Sequence, residues 1–223
     1  MVNCQMVKLS NSPIVKVCGM RDAENILAID GLSVDLMGFI FWPKSSRYVS
    51  ERPSYLPTHC KRVGVFVDAT IDEIRQKAEE YRLDFVQLHG HETPELISHL
   101  SLLTPHLSII KAISVSSSDD IATYKDYEGL VDYFLFDTKC TCMGGSGQQF
   151  DWSVLADYDG NTPFLLSGGI GPNDAERVKD YLTSHLSPLT SHCVGIDLNS
   201  RFEQAPALKD INKLKEFINT IRL

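Results

Sequence analysis

The sequence predicts an α/β protein in which eight parallel strands close into a (β/α)8 barrel. Three observations carry that expectation. Eight apolar, β-rich runs are spread along the chain, segments of helical period lie between them, and the length of 223 residues suits one such unit. Barrels of roughly 200–250 residues occur as a single domain. An open doubly wound sheet would show the same alternation, but eight similar units with no surplus sequence favour closure.

The first run, Ile14–Gly19, leads to Asp22, a side chain suited to cap a helix that starts at Ala23. The second and third runs are Val34–Phe41 and Arg62–Val67. After them Ile71, Ile74, Ala78 and Tyr81 recur at i, i+3, i+7 and i+10 with charged residues on the opposite face, the pattern of an amphipathic helix. Phe85–Leu88 is the fourth strand, followed by Thr93-Pro94, a cap and a first helical residue. Leu107–Ile113, Tyr133–Asp137, Phe164–Ser167 and Cys193–Asp197 complete the set, with a helix expected from near Pro172. A last apolar stripe joins Leu208, Ile211, Leu214, Ile218 and Ile221. Near-continuous hydrophobicity is what strands covered on both faces require. No composition shift or linker divides the chain, so residues 1–223 read as one domain, with 1–13 an N-terminal extension.

Composition narrows the function. Hydrophobic residues at 43% and charged residues at 22% exclude disordered, collagen-like and coiled-coil chains. No apolar run approaches the roughly 18 residues of a membrane span. The start, MVNCQMVKLSNSP, lacks the apolar stretch of a signal peptide, so a cytoplasmic location and no membrane partner are expected. A net charge of −8, with no dense Lys/Arg cluster, argues against nucleic acid. The six cysteines read as thiols rather than disulfides. Cys140 and Cys142 lack a second Cys/His pair, so no metal is expected there.

Barrel active sites form at the C-terminal ends of the strands. The polar residues placed there are Lys16 and Cys18, Lys44 and Arg47, Asp68, Gln87 and His89, Lys111, Asp137 and Asp197. Ser167-Gly168-Gly169-Ile170 leads from the seventh strand toward a helix start, a geometry in which backbone amides and helix potential hold a phosphate. The same string serves an ordinary strand-to-helix turn. Gly144–Gly147 is no P-loop, since no GK[ST] follows, and reads as a lid or a surface loop. Asp137 closes the apolar run Phe134-Leu135-Phe136, where a carboxylate meets a desolvation cost that function or a local cap would explain. Taken alone, Cys18 reads as a buried core thiol rather than a catalyst, Arg47 and Lys44 as solvated loop charges, and His89 as a local hydrogen-bonding group. These residues reach acid–base chemistry on a small phosphorylated substrate and stop short of the reaction.

The motifs taken together resemble the phosphoribosylanthranilate isomerase family. They are Val15-Lys16-Val17-Cys18-Gly19-Met20, Gly38-Phe39-Ile40-Phe41, Pro43-Lys44-Ser45-Ser46-Arg47-Tyr48, Val63-Gly64-Val65-Phe66 and Val86-Gln87-Leu88-His89-Gly90. Phe136-Asp137-Thr138, Gly144-Gly145-Ser146-Gly147, Phe150-Asp151-Trp152 and Leu166-Ser167-Gly168-Gly169 follow in order. The resemblance spans nearly the whole chain and implies a (β/α)8 barrel that needs no cofactor. It implies an Amadori rearrangement of N-(5-phosphoribosyl)anthranilate to 1-(2-carboxyphenylamino)-1-deoxyribulose 5-phosphate in tryptophan biosynthesis. Cys18 would be the general base and Asp137 the general acid, two groups that need opposite protonation states. Arg47 would bind the anthranilate carboxylate with its planar fork, with Lys16, Gln87 and His89 as further substrate contacts.

Gly168, Gly169, Asn199, Ser200 and Arg201 would form the phosphate site. Where the family reads Asp-Val-Ser-Ser-Gly-Val-Glu, this chain has Asp197-Leu198-Asn199-Ser200-Arg201-Phe202-Glu203, so Arg201 replaces a glycine. The partner expected is the phosphoribosyl substrate alone, on a monomer, with a homodimer as the alternative. Two other readings stay open. One is a histidine-pathway type isomerase, which resembles an Asp/Asp pair with two phosphate sites; the other is a barrel that binds a phosphometabolite without turnover.

Overall fold

The computed structural model describes residues 12–138, 151–183 and 192–222. Its eight main strands are β1 (Ile14–Val17), β2 (Leu36–Ile40), β3 (Lys61–Phe66), β4 (Phe85–Leu88), β5 (Ser108–Val115), β6 (Tyr133–Thr138), β7 (Phe164–Leu166) and β8 (Cys193–Leu198). Each pairs in parallel with the next, and β8 returns to β1, so the sheet is a closed barrel. All eight expected strands are present, their ends moved by at most two residues.

The helices are α1 (Ala23–Asp30), α2 (Ile71–Tyr81), α3 (Pro94–Leu103), α4 (Ser118–Ile121), α5 (Ala175–Thr183) and α6 (Ile211–Arg222). Their starts follow local chemistry. The Asp22 carboxylate accepts from the Asn25 amide at 2.8 Å, and Thr93 caps α3 ahead of Pro94. Thr70 and Glu73 cap α2 reciprocally.

Some units depart from the ideal repeat. Residues 41–60, between β2 and β3, carry no helix, and among the described residues between β6 and β7 the helical segment is 3-10, Trp152–Asp157. Pro172–Asp174 is likewise 3-10, with α5 beginning only at Ala175. A short antiparallel hairpin, β9 (Glu203–Ala205) and β10 (Leu208–Lys209), follows β8. It corrects one expectation. Leu208 belongs to the hairpin and is exposed, and the buried face of α6 consists of Leu214, Phe217, Ile218 and Ile221. The periodicity extended too far because an apolar residue happened to stand three positions before Ile211. The features expected at Cys140, Cys142 and Gly144–Gly147, and most of the 1–13 extension, lie outside the described residues.

Strand alternation sorts the core into two. One apolar cluster fills the barrel interior, with Ile14, Leu36, Val63, Phe85, Ile110, Leu135 and Leu165 among its members. The larger cluster packs the outer strand faces, such as Val15, Val17, Val86, Phe134 and Phe136, against the helices. The interior is therefore filled by side chains toward its lower end, and the large cavity opens above them.

The helix-less connection is held by one carboxylate. Asp30, the last residue of α1, is buried and accepts from the Thr58 amide at 2.8 Å, the His59 amide at 3.0 Å and the Tyr55 hydroxyl at 2.7 Å. Burial alone would raise its pKa, but the amides of Thr58 and His59 and the Tyr55 hydroxyl outweigh that and hold it well below the ordinary carboxylate value. A depressed carboxylate contributes stability that is present above its unfolded pKa and lost as pH falls through the folded one. Asp30→Asn should cost ~1.5–3 kcal/mol in urea unfolding at pH 7, the range for hydrogen bonds to a charged group. The difference from wild type should shrink as acid protonates the carboxylate. Equal stability at pH 7 would show that the connection is held elsewhere.

Candidate active site

Alternation also explains why polar residues meet at the top of the barrel. Ile14, Lys16 and Cys18 share the inner face of β1 and its extension, as Phe85, Gln87 and His89 do for β4, and Leu135 and Asp137 for β6. The lower member of each series is apolar and the upper ones are polar. Above the apolar plug lies a cavity of about 790 Å³. Cys18, Arg47, Gln87, His89, Asp137, Gly168, Gly169, Asn199 and Ser200 all stand on its wall. Lys16 and Arg201 do not.

Lys16 lies one layer beneath. It is fully buried, and its Nζ donates to Asp197 Oδ1 at 2.9 Å, between residues that are direct neighbours in the β1–β8 register. Burial pulls the Lys16 pKa down, but the charges of Asp197 and Cys18 more than reverse this, so it is held above the ordinary lysine value and stays a cation. Cys18 is also buried. Burial pushes its thiol up, the Lys16 charge draws it down, Asp197 pushes it up again, and Lys209 draws it down; the balance is a raised pKa. Gly38 on β2 leaves the room this thiol needs. A Cβ there would stand 2.8 Å from the Cys18 Sγ.

Asp137 faces the same cavity from the end of β6, its side chain 29% exposed. Surrounding protein raises its pKa; His89 draws it down, Asp197 raises it, and the Thr138 amide and Ser167 hydroxyl lower it, leaving it above the ordinary carboxylate value. His89 Nε2 lies 3.5 Å from Asp137 Oδ2, and Gln87 Nε2 lies 3.2 Å from His89 Nδ1. These three residues form one row across β4 and β6.

Arg47 comes from the irregular β2–β3 connection. Its Nε and Nη2 donate to Glu203 at 2.8 and 2.6 Å, a two-point pair with both side chains largely buried. Lys209 Nζ joins the same carboxylate at 2.7 Å and donates to Asn199 Oδ1 at 2.7 Å. Burial lowers the Lys209 pKa, which Glu203 only partly offsets. Glu203 itself is lowered, because Arg47 and Lys209 together outweigh its burial.

Glu203 and Lys209 are the residues that sequence reasoning missed. Both lie past the last expected strand, and Lys209 in Leu208-Lys209-Asp210 reads as a solvated helix charge. A signal did exist. Glu203 closes a segment whose departure from the family pattern was already evident. Lys111 and Glu92 form a further buried pair at 2.9 Å, and Glu92 also accepts the Gly90 and Asp68 amides. That pair fixes the loop after β4, directly beyond His89.

At the β7 end, Gly168 and Gly169 have φ of 89° and 65°, a region that favours glycine. A Cβ on Gly168 would lie 2.6 Å from the Thr138 amide nitrogen, so the turn packs tightly against the end of β6. Asp174 accepts the Gly171 amide at 2.7 Å. Arg201 stacks its stem beside Gly171, whose added Cβ would meet the Arg201 Cβ at 3.4 Å, so the residue that replaces a family glycine joins the β7 and β8 loops.

Comparison with known proteins agrees with this geometry. The family profile described as N-(5'phosphoribosyl)anthranilate (PRA) isomerase matches residues 15–220. N-(5'-phosphoribosyl)anthranilate isomerase of Phocaeicola vulgatus is 48% identical over 209 residues, covering 94% of this chain and 98% of the relative. The crystal structure of phosphoribosyl anthranilate isomerase from Thermotoga maritima superposes with a TM-score of 0.79 at 33% identity, over 94% of this chain and 98% of that one. A phosphoribosyl anthranilate isomerase solved with reduced 1-(o-carboxyphenylamino)-1-deoxyribulose 5-phosphate gives a TM-score of 0.76 at 30% identity, with coverage of 94% and 98%. With an eight-stranded closed barrel, a polar cavity at its upper end and a match along nearly its full length, this chain belongs to the N-(5'-phosphoribosyl)anthranilate isomerase family.

Proposed function

We propose that Cys18 is the general base and Asp137 the general acid of the family's isomerisation, the conversion of N-(5-phosphoribosyl)anthranilate to 1-(2-carboxyphenylamino)-1-deoxyribulose 5-phosphate in tryptophan biosynthesis. The observation that carries this reading is that both residues face one cavity from different strands, each in surroundings that alter its acidity. Protonated Asp137 donates to the ribose ring oxygen, and the ring opens to an iminium ion. The Cys18 thiolate then takes the C2′ proton, with the iminium nitrogen as electron sink. The resulting enolamine becomes the ketone as C1′ takes a proton from Cys18 and the 2′-hydroxyl proton restores Asp137. No atoms are gained or lost, and both groups return to their starting states.

Arg47 is the residue for the anthranilate carboxylate. Glu203 holds Nε and Nη2, so the substrate would be met by Nη1. Gly168 and Gly169, with Asn199 and Ser200, form the phosphate site, and Arg201 supports it from outside the cavity wall. Gln87 and His89 stand beside Asp137 and orient the sugar. Lys16, beneath the wall, acts on the reaction through Cys18 rather than by touching substrate. The rival Asp/Asp arrangement is disfavoured because a thiol stands at the base position.

The direct test supplies phosphoribosylanthranilate generated in situ and follows anthranilate fluorescence; no turnover by folded protein would sink the reading. Asp137→Asn, nearly isosteric, should bind the reduced product analogue normally while kcat falls by ~10²–10⁴-fold, the range for removing a general acid. Full activity would place the acid elsewhere.

Removing the cation beneath the thiol should raise the Cys18 pKa further even when its partner carboxylate is removed with it, because Lys16 draws the thiol down by more than Asp197 pushes it up. In a Lys16→Met, Asp197→Asn double variant, the pH midpoint of Cys18 alkylation, mapped by mass spectrometry, should move upward and kcat should fall. An unmoved midpoint would show that Lys16 only closes the barrel.

At the phosphate turn, Gly169→Glu places a side chain and a negative charge beside the bound anion. The substrate KM and the inhibition constant of inorganic phosphate should rise together. If both stay at their wild-type values, the phosphate binds elsewhere on the rim.

A further inference from the structure

A lysine nitrogen carries several N–H groups on one atom, so it can hold two acceptors close together. Lys209 Nζ donates to Glu203 Oε1 and to Asn199 Oδ1, each at 2.7 Å, and its side chain is fully enclosed. The lysine is itself anchored from outside the cavity. Its amide donates to Asn25 Oδ1 at 2.8 Å and its carbonyl accepts from Asn25 Nδ2 at 2.9 Å, a two-way tie to helix α1. The two acceptors serve different parts of the site. Glu203 grips Arg47 at Nε and Nη2, while Asn199 stands on the cavity wall beside Ser200. We propose that Lys209 is a positioning residue that joins the carboxylate-binding arginine to the phosphate-binding segment, so that the two anionic groups of one substrate are met at a set separation.

Neither end has regular structure to hold it. Arg47 lies in the helix-less β2–β3 connection, and Asn199 precedes the 3-10 turn Ser200–Phe202. An asparagine at that position ordinarily caps its own turn. Here its side chain makes no cap, and its oxygen goes to Lys209 instead. Residues 199–210 close into one unit around the lysine. The Asp210 amide donates to the Phe202 carbonyl at 2.7 Å, the Ala207 amide to Glu203 Oε1 at 3.1 Å, and Lys209 pairs with Glu203 in the β9–β10 register. The unit also bears on the base. A Cβ on Gly19 would lie 2.6 Å from Arg47 Cδ and 2.8 Å from Asn199 Oδ1, so both groups press on the residue after Cys18. Arg47 alone would neutralise Glu203, so charge pairing leaves the second basic group unexplained. Without the Lys209 side chain, Arg47 keeps Glu203, but among the described residues no side-chain bond joins that pair to Asn199. This role rests on Arg47 meeting the carboxylate and Asn199 the phosphate.

Anthranilate and inorganic phosphate probe the two ends separately. Both can be titrated into the full chain without turnover, the first by its fluorescence and the second by calorimetry. Lys209→Met should weaken the binding of each by ~3–10-fold, the range for one lost hydrogen bond. In an Arg47→Ala background the same substitution should cost anthranilate little more. In an Asn199→Ala background it should cost phosphate little more, because residues acting through one set of contacts are not additive. A loss that persists in either background would overturn the proposal, since Lys209 would then only support the fold. A loss confined to one probe would overturn it as well. If Lys209→Met does not fold, Lys209→Gln, whose amide nitrogen falls one bond short of the Nζ position, takes its place with the same expected outcomes. Anthranilate binding unchanged in Arg47→Ala, or phosphate binding unchanged in Asn199→Ala, would refute the site reading and the link with it. Losses in those two variants, with an additive effect of Lys209→Met, would refute the link alone.

Discussion

The upper half of this barrel depends on the ion pair between Lys16 and Asp197. The pair spans the β1–β8 seam where the sheet closes, and it sits on the inner face directly above an apolar plug. Taking both charges out of water costs several kcal/mol per ion, and losing one partner leaves the other charge buried without compensation. Closure itself does not need the pair. Two apolar side chains would fill the seam as well, often with greater stability. What they could not do is place a cation beneath Cys18. The pair is therefore explained by the thiol above it, whose own burial disfavours the thiolate.

A second charged system ties together the parts of the chain that have no regular structure. Arg47 comes from the helix-less β2–β3 connection, and Glu203 and Lys209 come from the hairpin after β8. Counted with Lys16 and Asp197, this side of the cavity holds three cations and two carboxylates, in a chain of net charge −8. A substrate bearing a phosphate and a carboxylate meets a local field opposite in sign to the molecule as a whole. Overall charge argues against nucleic acid as a partner; it carries no information about this short-range field, which the fold assembles from four distant segments.

What was legible in the sequence followed from how each residue declares itself. Strands buried on both faces show as apolar runs, so all eight were recognisable, and Asp22, Thr93 and Pro94 marked helix starts by their own chemistry. Lys16, Gln87, Asp137 and Asp197 were conspicuous as polar residues inside such runs. Alternation then put them on one face. Glu203 and Lys209 were hidden because a charged residue in an irregular segment looks solvated until the fold buries it. Leu208 misled for the converse reason, since periodicity cannot tell a helical stripe from an apolar residue that precedes it. The tie between Arg47 and Glu203 joins positions 156 residues apart, and no local pattern announces such a contact.

The two proposed catalytic groups set opposite demands, and burial answers only one of them. A carboxyl group shielded by protein keeps its proton, which is what an acid requires. The negative charge of Asp197 pushes Asp137 the same way, while His89, the Thr138 amide and the Ser167 hydroxyl pull against burial without reversing it. A buried thiol also keeps its proton, which is the wrong state for a base. Cys18 therefore needs cations, and Lys16 and Lys209 act on it from the β1–β8 side of the barrel. Asp197 serves both ends at once. Paired to Lys16 it holds the cation in place for the thiol, and its charge helps keep the proton on Asp137. One carboxylate at the closure seam thus lets a single cavity hold an acid and a base whose ordinary acidities would arrange their protons the other way round.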